Sequence, residues 1–254
     1  MIAPENPPGF VVRTEAQKAA WDNGYRLERE AKDGWLRYAS TTAPGSIWIG
    51  GGSSQGPWLL SIEHSGVLAE IGTLPASPAP GPGITTFALS TLSQLHAVLD
   101  RVYKLAVSLP EAPLLRFRAA TASLPRTTEA ERLVIQRIGQ DVFHDALMDY
   151  WGGRCPLTGI TEPALLRASH IVPWSDCSDE QRLDVHNGLL LSALWDAAFD
   201  KGLVSFNDDG MARVSSSLSE AAGDALGVAG VPPLPGLRDA HRANLAAHRA
   251  RHGF

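Results

Sequence analysis

The sequence predicts an α+β fold in two parts. A small N-terminal antiparallel sheet packed with a helix is followed by a C-terminal part organised as strand, loop, strand and helix, with further helices on its flanks. Three observations predict this. Short β-rich runs separated by Gly, Pro and Asn turns crowd residues 25–62. An amphipathic pattern with spacings of three and four comes next, at 91–108. Finally, residues 151–202 pass from two apolar runs into a helix-spaced segment, and each of the three carries a polar residue where an apolar one is expected.

Taken in order, residues 15–22 read as a short helix closed by the turn Asp22-Asn23-Gly24. Strands are expected at 25–30, 35–39, 46–49 and 58–62, with Trp35, Trp48 and Trp58 contributing much of the core. The Pro-rich stretch LPASPAPGPG at 74–83 is expected to be an exposed loop. The helix at 91–108 places Leu92, Leu95, Val98, Leu99, Val102 and Leu105 on one side, suited to packing on the sheet. Residues 1–112 thus form an N-terminal α+β domain. Pro110, Pro113 and Pro125 break the periodicity beyond that helix, and 113–127 reads as a linker.

The C-terminal domain, 128–254, opens with a long helix over 128–150 bearing Leu133, Val134, Ile138, Val142, Ala146 and Leu147 along one side. Beyond Gly202, residues 203–206 and 211–214 read as a hairpin around Asn207-Asp208-Asp209-Gly210. Residues 215–230 read as largely irregular with a helical piece, and 237–251 as a final helix. Its His241, His248 and His252 are interleaved with Arg and look like a solvated face.

Composition narrows the function classes. The chain has 254 residues, 44% of them hydrophobic, enough for one large or two small cores. No apolar run approaches the ~18 residues of a membrane span. The acidic, Pro-rich start has no basic and apolar leader, so a cytoplasmic protein is expected. Its two cysteines, Cys155 and Cys177, are expected to stay thiols in a reducing compartment. They form no C-x-x-C, so no structural zinc is expected. A net charge of −5 is not that of a protein that coats DNA, and weak nonspecific binding is expected if DNA is the partner.

The chemistry-bearing residues lie in 151–202. Ser169 and His170 end the first apolar run, Asn187-Gly188 opens the second, and the helix capped by Ser192 carries Asp196 and Asp200. Hydrolysis of a phosphodiester requires a base to activate water and positive charge at the phosphate. An imidazole is neutral yet basic near neutral pH. Asp196 and Asp200 are four apart, on one helix face, and a hard cation such as Mg²⁺ takes carboxylate oxygens.

The succession C-x-x-T-G, S-H-I-x-P-W, N-G-L-L-L-S and D-x-x-F-D-x-G resembles the HNH nucleases of ββα-metal fold, in their bacterial restriction-type variety, over roughly residues 130–254. The resemblance implies that His170 is the general base and that Asn187 braces the loop bearing it. It also implies metal ligation from the helix. Asp196 lies nine residues after Asn187, the spacing of colicin-type members, and is the first ligand candidate; Asp200 is one turn on. Many members have Asp or His where this chain has Ser169, a weaker ligand. An R-x-G-Q helix with Arg137 and Gln140 precedes the motif, and Arg154 and Lys201 flank it as candidate phosphate contacts. Trp174, Trp195 and Phe199 read as core around the site, and His144 and His186 as structural.

The expected activity is therefore metal-dependent endonucleolytic hydrolysis of DNA with Mg²⁺ or Mn²⁺, serving restriction of foreign or modified DNA. It requires the imidazole at 170 and the carboxylate at 196 to reach one phosphate from opposite sides. The alternative is a catalytically inert DNA-binding or interaction module on the same fold, of which Ser169 would be a symptom. For the N-terminal domain two roles stay open, DNA recognition and a homodimer interface.

Overall fold

The computed structural model describes residues 3–52, 56–74, 77–125 and 127–254. The chain divides into two compact units, Met1–Ala112 and Pro113–Phe254.

In the first unit, helix α1 (Phe10–Asp22) buries Val12, Ala16, Ala19 and Ala20. It begins earlier than the sequence suggested. Strands β1 (Leu27–Lys32), β2 (Trp35–Ala39), β3 (Ser46–Gly51) and β4 (Trp58–Ile62) form a meander. Helix α2 (Ser65–Glu70) comes next, then β5 (Ser77–Ala79), β6 (Thr85–Leu89) and helix α3 (Leu92–Ser108). The sheet is antiparallel in the order β1-β2-β3-β4-β6-β5.

Register and side-chain alternation put Leu36, Tyr38, Ile47, Ile49, Leu60 and Ile62 on one face, all buried. Trp58 lies on that face too. Trp35, Leu59 and Ala88 form a smaller cluster on the other, with Trp48 and Ala79 packed against it. Helix α3 packs on the sheet and on α1. Strand β5 corrects the expectation of an unstructured 74–83. Pro78 has no amide hydrogen, but β5 is an edge strand, where a missing donor is tolerated. Residues 75 and 76 of that stretch lie outside the described residues.

Helix α4 (Glu111–Thr121) starts at the end of the first unit and continues into the second, where the sequence suggested a linker. Pro113 falls in its first turn, where the amide has no helical partner to lose. Helix α5 (Glu129–Tyr150) is started by a capping box between Thr128 and Glu131. Then come β7 (Leu166–His170), the short α6 (Asp179–Arg182), β8 (Gly188–Ser192) and α7 (Ala193–Asp200). The hairpin β9 (Val204–Phe206) and β10 (Ala212–Val214), helix α8 (Glu220–Leu226) and helix α9 (Asp239–His252) complete the unit.

Helix α9 overturns the reading of its histidines as a solvated face, because His241 and His248 are buried. The His248 ring lies parallel to Phe199 at 3.9 Å, its Nε2–H donates to the Phe199 carbonyl at 3.1 Å, and the Ser205 hydroxyl lies 3.0 Å from Nδ1. Burial pushes its pKa down to about 4. Among the described residues no helix is long and apolar enough to cross a membrane.

Candidate active site

Strands β7 and β8 pair antiparallel, His170 opposite Gly188 and Ser169 opposite Leu189. Among the described residues they form a sheet of two strands, with no strand paired to the outer edge of β7. Helix α5 packs on both strands, as does α7. The close approach of α5 depends on Gly188, where a Cβ would lie 2.5 Å from Phe143 Cζ and 2.8 Å from a Leu147 methyl.

His170 is the last residue of β7. Its ring stacks on Phe143 of α5, with centroids 3.8 Å apart and planes 18° from parallel, and meets Trp174 edge-on at 5.5 Å. Nε2 lies 2.9 Å from the Arg182 carbonyl oxygen. A carbonyl only accepts, so Nε2 carries the hydrogen and the neutral ring presents its lone pair at Nδ1. Burial holds the His170 pKa below its ordinary value, opposed by the bond to the Arg182 carbonyl and aided by the Arg182 charge. The imidazole is thus neutral near pH 7 with its tautomer fixed.

Asn187 is buried and clamps the loop between the strands. Its Oδ1 accepts from the Val172 amide at 2.8 Å, while Nδ2 donates to the Val172 carbonyl and to the Gln181 carbonyl, each at 3.2 Å. Nδ2 also reaches the Cys177 sulfur at 3.4 Å. One side chain therefore ties the first residues after β7 to the peptide just before Arg182, whose carbonyl orients His170. Arg182 is fixed in turn by bonds from Nε to the Trp174 carbonyl at 2.8 Å and from Nη1 to Asp179 at 2.9 Å.

On the other face of β7, the Ser169 hydroxyl donates to the Asp196 carboxylate of α7. Asp196 has its pKa raised, chiefly by burial and further by Asp200, against the opposing influence of Ser169 and Arg167. A half-buried carboxylate beside a second one disfavours its own charge, and a cation would relieve both costs. Among the described residues no group of three His, Cys, Asp or Glu side chains is poised for a metal. The donors here are two carboxylates and a hydroxyl. Such oxygen donors suit a hard divalent cation that keeps several waters and takes few protein ligands.

The structure thus brings Ser169 and Asp196 together on the α7 side, with Asp200 one turn further along α7, exposed and paired with Lys201, and it brings His170 and Asn187 together around the loop. Backbone alternation turns His170 and Ser169 to opposite faces of the hairpin. The remaining candidates make local contacts. Arg137 pairs with Asp141 at 3.4 Å and Gln140 is exposed, whereas Gly139 and Phe143 of the same helix are buried. Arg154 donates to the Gly159 carbonyl at 2.8 Å, and Lys201 pairs with Asp200 at 2.7 Å with both side chains exposed.

Trp195 and Phe199 are core, as expected, and Trp174 is half-buried against His170. His144 is partly exposed beside Asp145 at 3.7 Å, and His186 Nδ1 lies 2.9 Å from Asp184. Cys155 and Cys177 are buried free thiols. Phe143, Arg167 and Arg182 carry no motif signal in the sequence. Phe143 alone has a positional one, since it lies one helical turn from both Gly139 and Leu147.

No curated protein matches the chain. Residues 155–207 match the family model of the HNH endonucleases. The match begins at Cys155, spans both strands, the clamp and α7, and ends after β9.

Proposed function

The second unit carries an HNH endonuclease domain, and on that premise we propose that the protein is a metal-dependent endonuclease hydrolysing DNA phosphodiester bonds. The observation that carries this reading is the fixed tautomer of His170. Its Nε2 is committed to the Arg182 carbonyl, which leaves a basic Nδ1 one residue away from the Ser169–Asp196 pair.

In this reading the scissile phosphate straddles the free edge of β7. From one side His170 Nδ1 takes a proton from the attacking water, and the resulting hydroxide adds to phosphorus as the opposite bond from phosphorus to the leaving oxygen breaks. Asp196, with Asp200 and Ser169, would hold a divalent cation on the other side, which when bound supplies positive charge to the phosphate and the leaving oxygen. Asn187 keeps the loop, and through Arg182 the imidazole, in register. Restriction of foreign or modified DNA is the biological role that this activity suggests, with the first unit as the reader of the target, since catalytic domains of this kind grip the backbone more than the bases.

The test is incubation of plasmid DNA with the full chain and Mg²⁺ or Mn²⁺, beside His170→Ala. Metal-dependent nicking that disappears in the variant supports the proposal. Nicking of equal rate in both removes His170 from the mechanism. No nicking by either, with DNA binding retained, would favour the inert module, a reading that the neutral Ser169 beside the Asp196 carboxylate itself invites.

A further inference from the structure

Beside the catalytic loop, and separate from the Asp196 cluster, lies a cavity of about 320 Å³ that the proposed hydrolysis does not use. It is lined by Phe117 of α4, by Arg132, Ile135 and Gln136 of α5, and by Trp174, Asp179 and Arg182 of the loop. We propose that this cavity is a subsite for one unpaired nucleotide of the DNA strand next to the scissile phosphate. The proposal rests on the nuclease reading and names the form of DNA that the site engages.

Size and shape come first. At the lower end of the ~300–1,000 Å³ range of small-molecule sites, the cavity has room for one base with its sugar. A base enters such a space only when it has left the duplex or was never in one. Of the two aromatic lining residues, Trp174 is half-buried and offers an indole surface to a base, whereas Phe117 is buried. Trp174 is held there because residue 139 is glycine. A Cβ at Gly139 would lie 2.5 Å from Trp174 Cη2 and 3.3 Å from Phe117 Cε2.

The polar wall is suited to the rest of a nucleotide. Arg132 and Gln136 are one turn apart on α5, and neither side chain has a hydrogen-bond or ion-pair partner among the described residues. Arg132 is exposed at the mouth, where a phosphate would lie, and the Gln136 amide offers both donors and an acceptor to a base edge. The guanidinium of Arg182 lies over the Trp174 ring at 5.2 Å and reaches the cavity while Asp179 offsets part of its charge.

Position supplies the link to catalysis. Trp174 touches the cavity and meets the His170 ring, while Arg182 lines the cavity with its side chain and orients His170 with its carbonyl. An occupant therefore sits one indole away from the general base. That is the place of a neighbouring nucleotide, not of the phosphate under attack.

The experiment measures binding apart from cleavage. The full chain in EDTA is titrated into a fluorescently labelled 12-nucleotide single strand, the same strand with one abasic position scanned along it, and the corresponding duplex, each monitored by anisotropy. The expected result is tighter binding of the single strand than of the duplex. At one abasic position affinity falls about tenfold, as loss of a single base–aromatic contact does. Arg132→Ala and Gln136→Ala, at partner-free positions of α5, weaken the intact strand, and Gln136→Ala adds little to the abasic loss. Circular dichroism checks that both variants fold.

Equal affinity for intact and abasic strands, or unchanged affinity in both variants, overturns the proposal. Saturation by a nucleoside monophosphate as tightly as by the strand makes the ligand a free nucleotide and overturns it equally. Plasmid cleavage is scored separately. Cleavage with no abasic effect leaves the nuclease reading standing and removes the subsite, whereas an abasic effect without cleavage keeps the subsite and removes the nuclease.

Discussion

Replacing Asn187 by alanine tests the link between the loop clamp and the base. The substitution removes the acceptor of the Val172 amide and the donors to the Val172 and Gln181 carbonyls. At about 1 kcal/mol net for each hydrogen bond, the loss is about 3 kcal/mol. For a chain of this size that lowers the melting temperature by roughly 6–12 °C. Catalysis should suffer separately, because the Gln181 peptide directly precedes the Arg182 carbonyl that holds His170 Nε2. A shift of the imidazole by about 1 Å is worth on the order of 100-fold in rate. We expect kcat to fall by that order with KM little changed, measured on a labelled duplex well below the melting temperature of the variant. Asn187→Asp keeps an acceptor for the Val172 amide but faces two carbonyls with a carboxylate, and should be no better than alanine. A melting temperature that falls while kcat holds would refute the coupling and leave Asn187 a structural residue only. A raised KM at constant kcat would place it in substrate binding instead.

Three further outcomes are expected from the same geometry. Because burial holds the His170 pKa below its usual 6.5, the neutral base persists on mild acidification. The rate should therefore stay flat down to about pH 6.5 and fall only below it, and a midpoint above that value in a pH–rate profile would contradict the assignment. Asp196→Asn should abolish the rise in melting temperature that Mn²⁺ gives the wild type, which reflects a stabilisation of about 2.7 kcal/mol at 100 times Kd; an equal rise in both proteins would place the cation elsewhere. For His248 the folded pKa, about 4, lies below the ordinary 6.5, so the unfolded chain binds the extra proton. The associated stability, about 3 kcal/mol, is complete above pH 6.5 and is lost as pH falls toward 4. Denaturant titrations across that window should show a flatter acid limb in His248→Gln than in the wild type, and parallel limbs would exclude His248 as the titrating group.

The chain reveals its site unevenly, for reasons that lie in the residues. His170, Asn187 and Asp196 stand out because each interrupts an apolar run or helix face, and a polar side chain at such a place must find a partner. Asn187 then meets three backbone groups, as a brace must. The group that orients His170 has no such signal, since it is a main-chain carbonyl, which every residue possesses. Nor is helix α4 legible. Its prolines suggest interruption, yet Pro110 precedes the helix and Pro113 falls in its first turn, where the ring costs nothing.

Helix α9 shows how the same rule misleads. Its histidines alternate with arginines, a pattern that belongs to solvent when the arginines are taken as fixed outward charges. Here they act as long stems with polar ends. Arg249 spans back to the Phe206 carbonyl at 2.6 Å and to Asp208 at 2.7 Å, and Arg251 pairs with Asp176, so the helix is held at its rim and presses its histidines inward. There both nitrogens of His248 find partners, and its ring covers Phe199, the residue before Asp200. The carbonyl accepting from His248 belongs to α7 itself. α9 therefore buttresses α7 from behind in the way that α5 buttresses β7, and the two sides of the proposed phosphate site are each backed by a ring stack, Phe143 on His170 and His248 on Phe199.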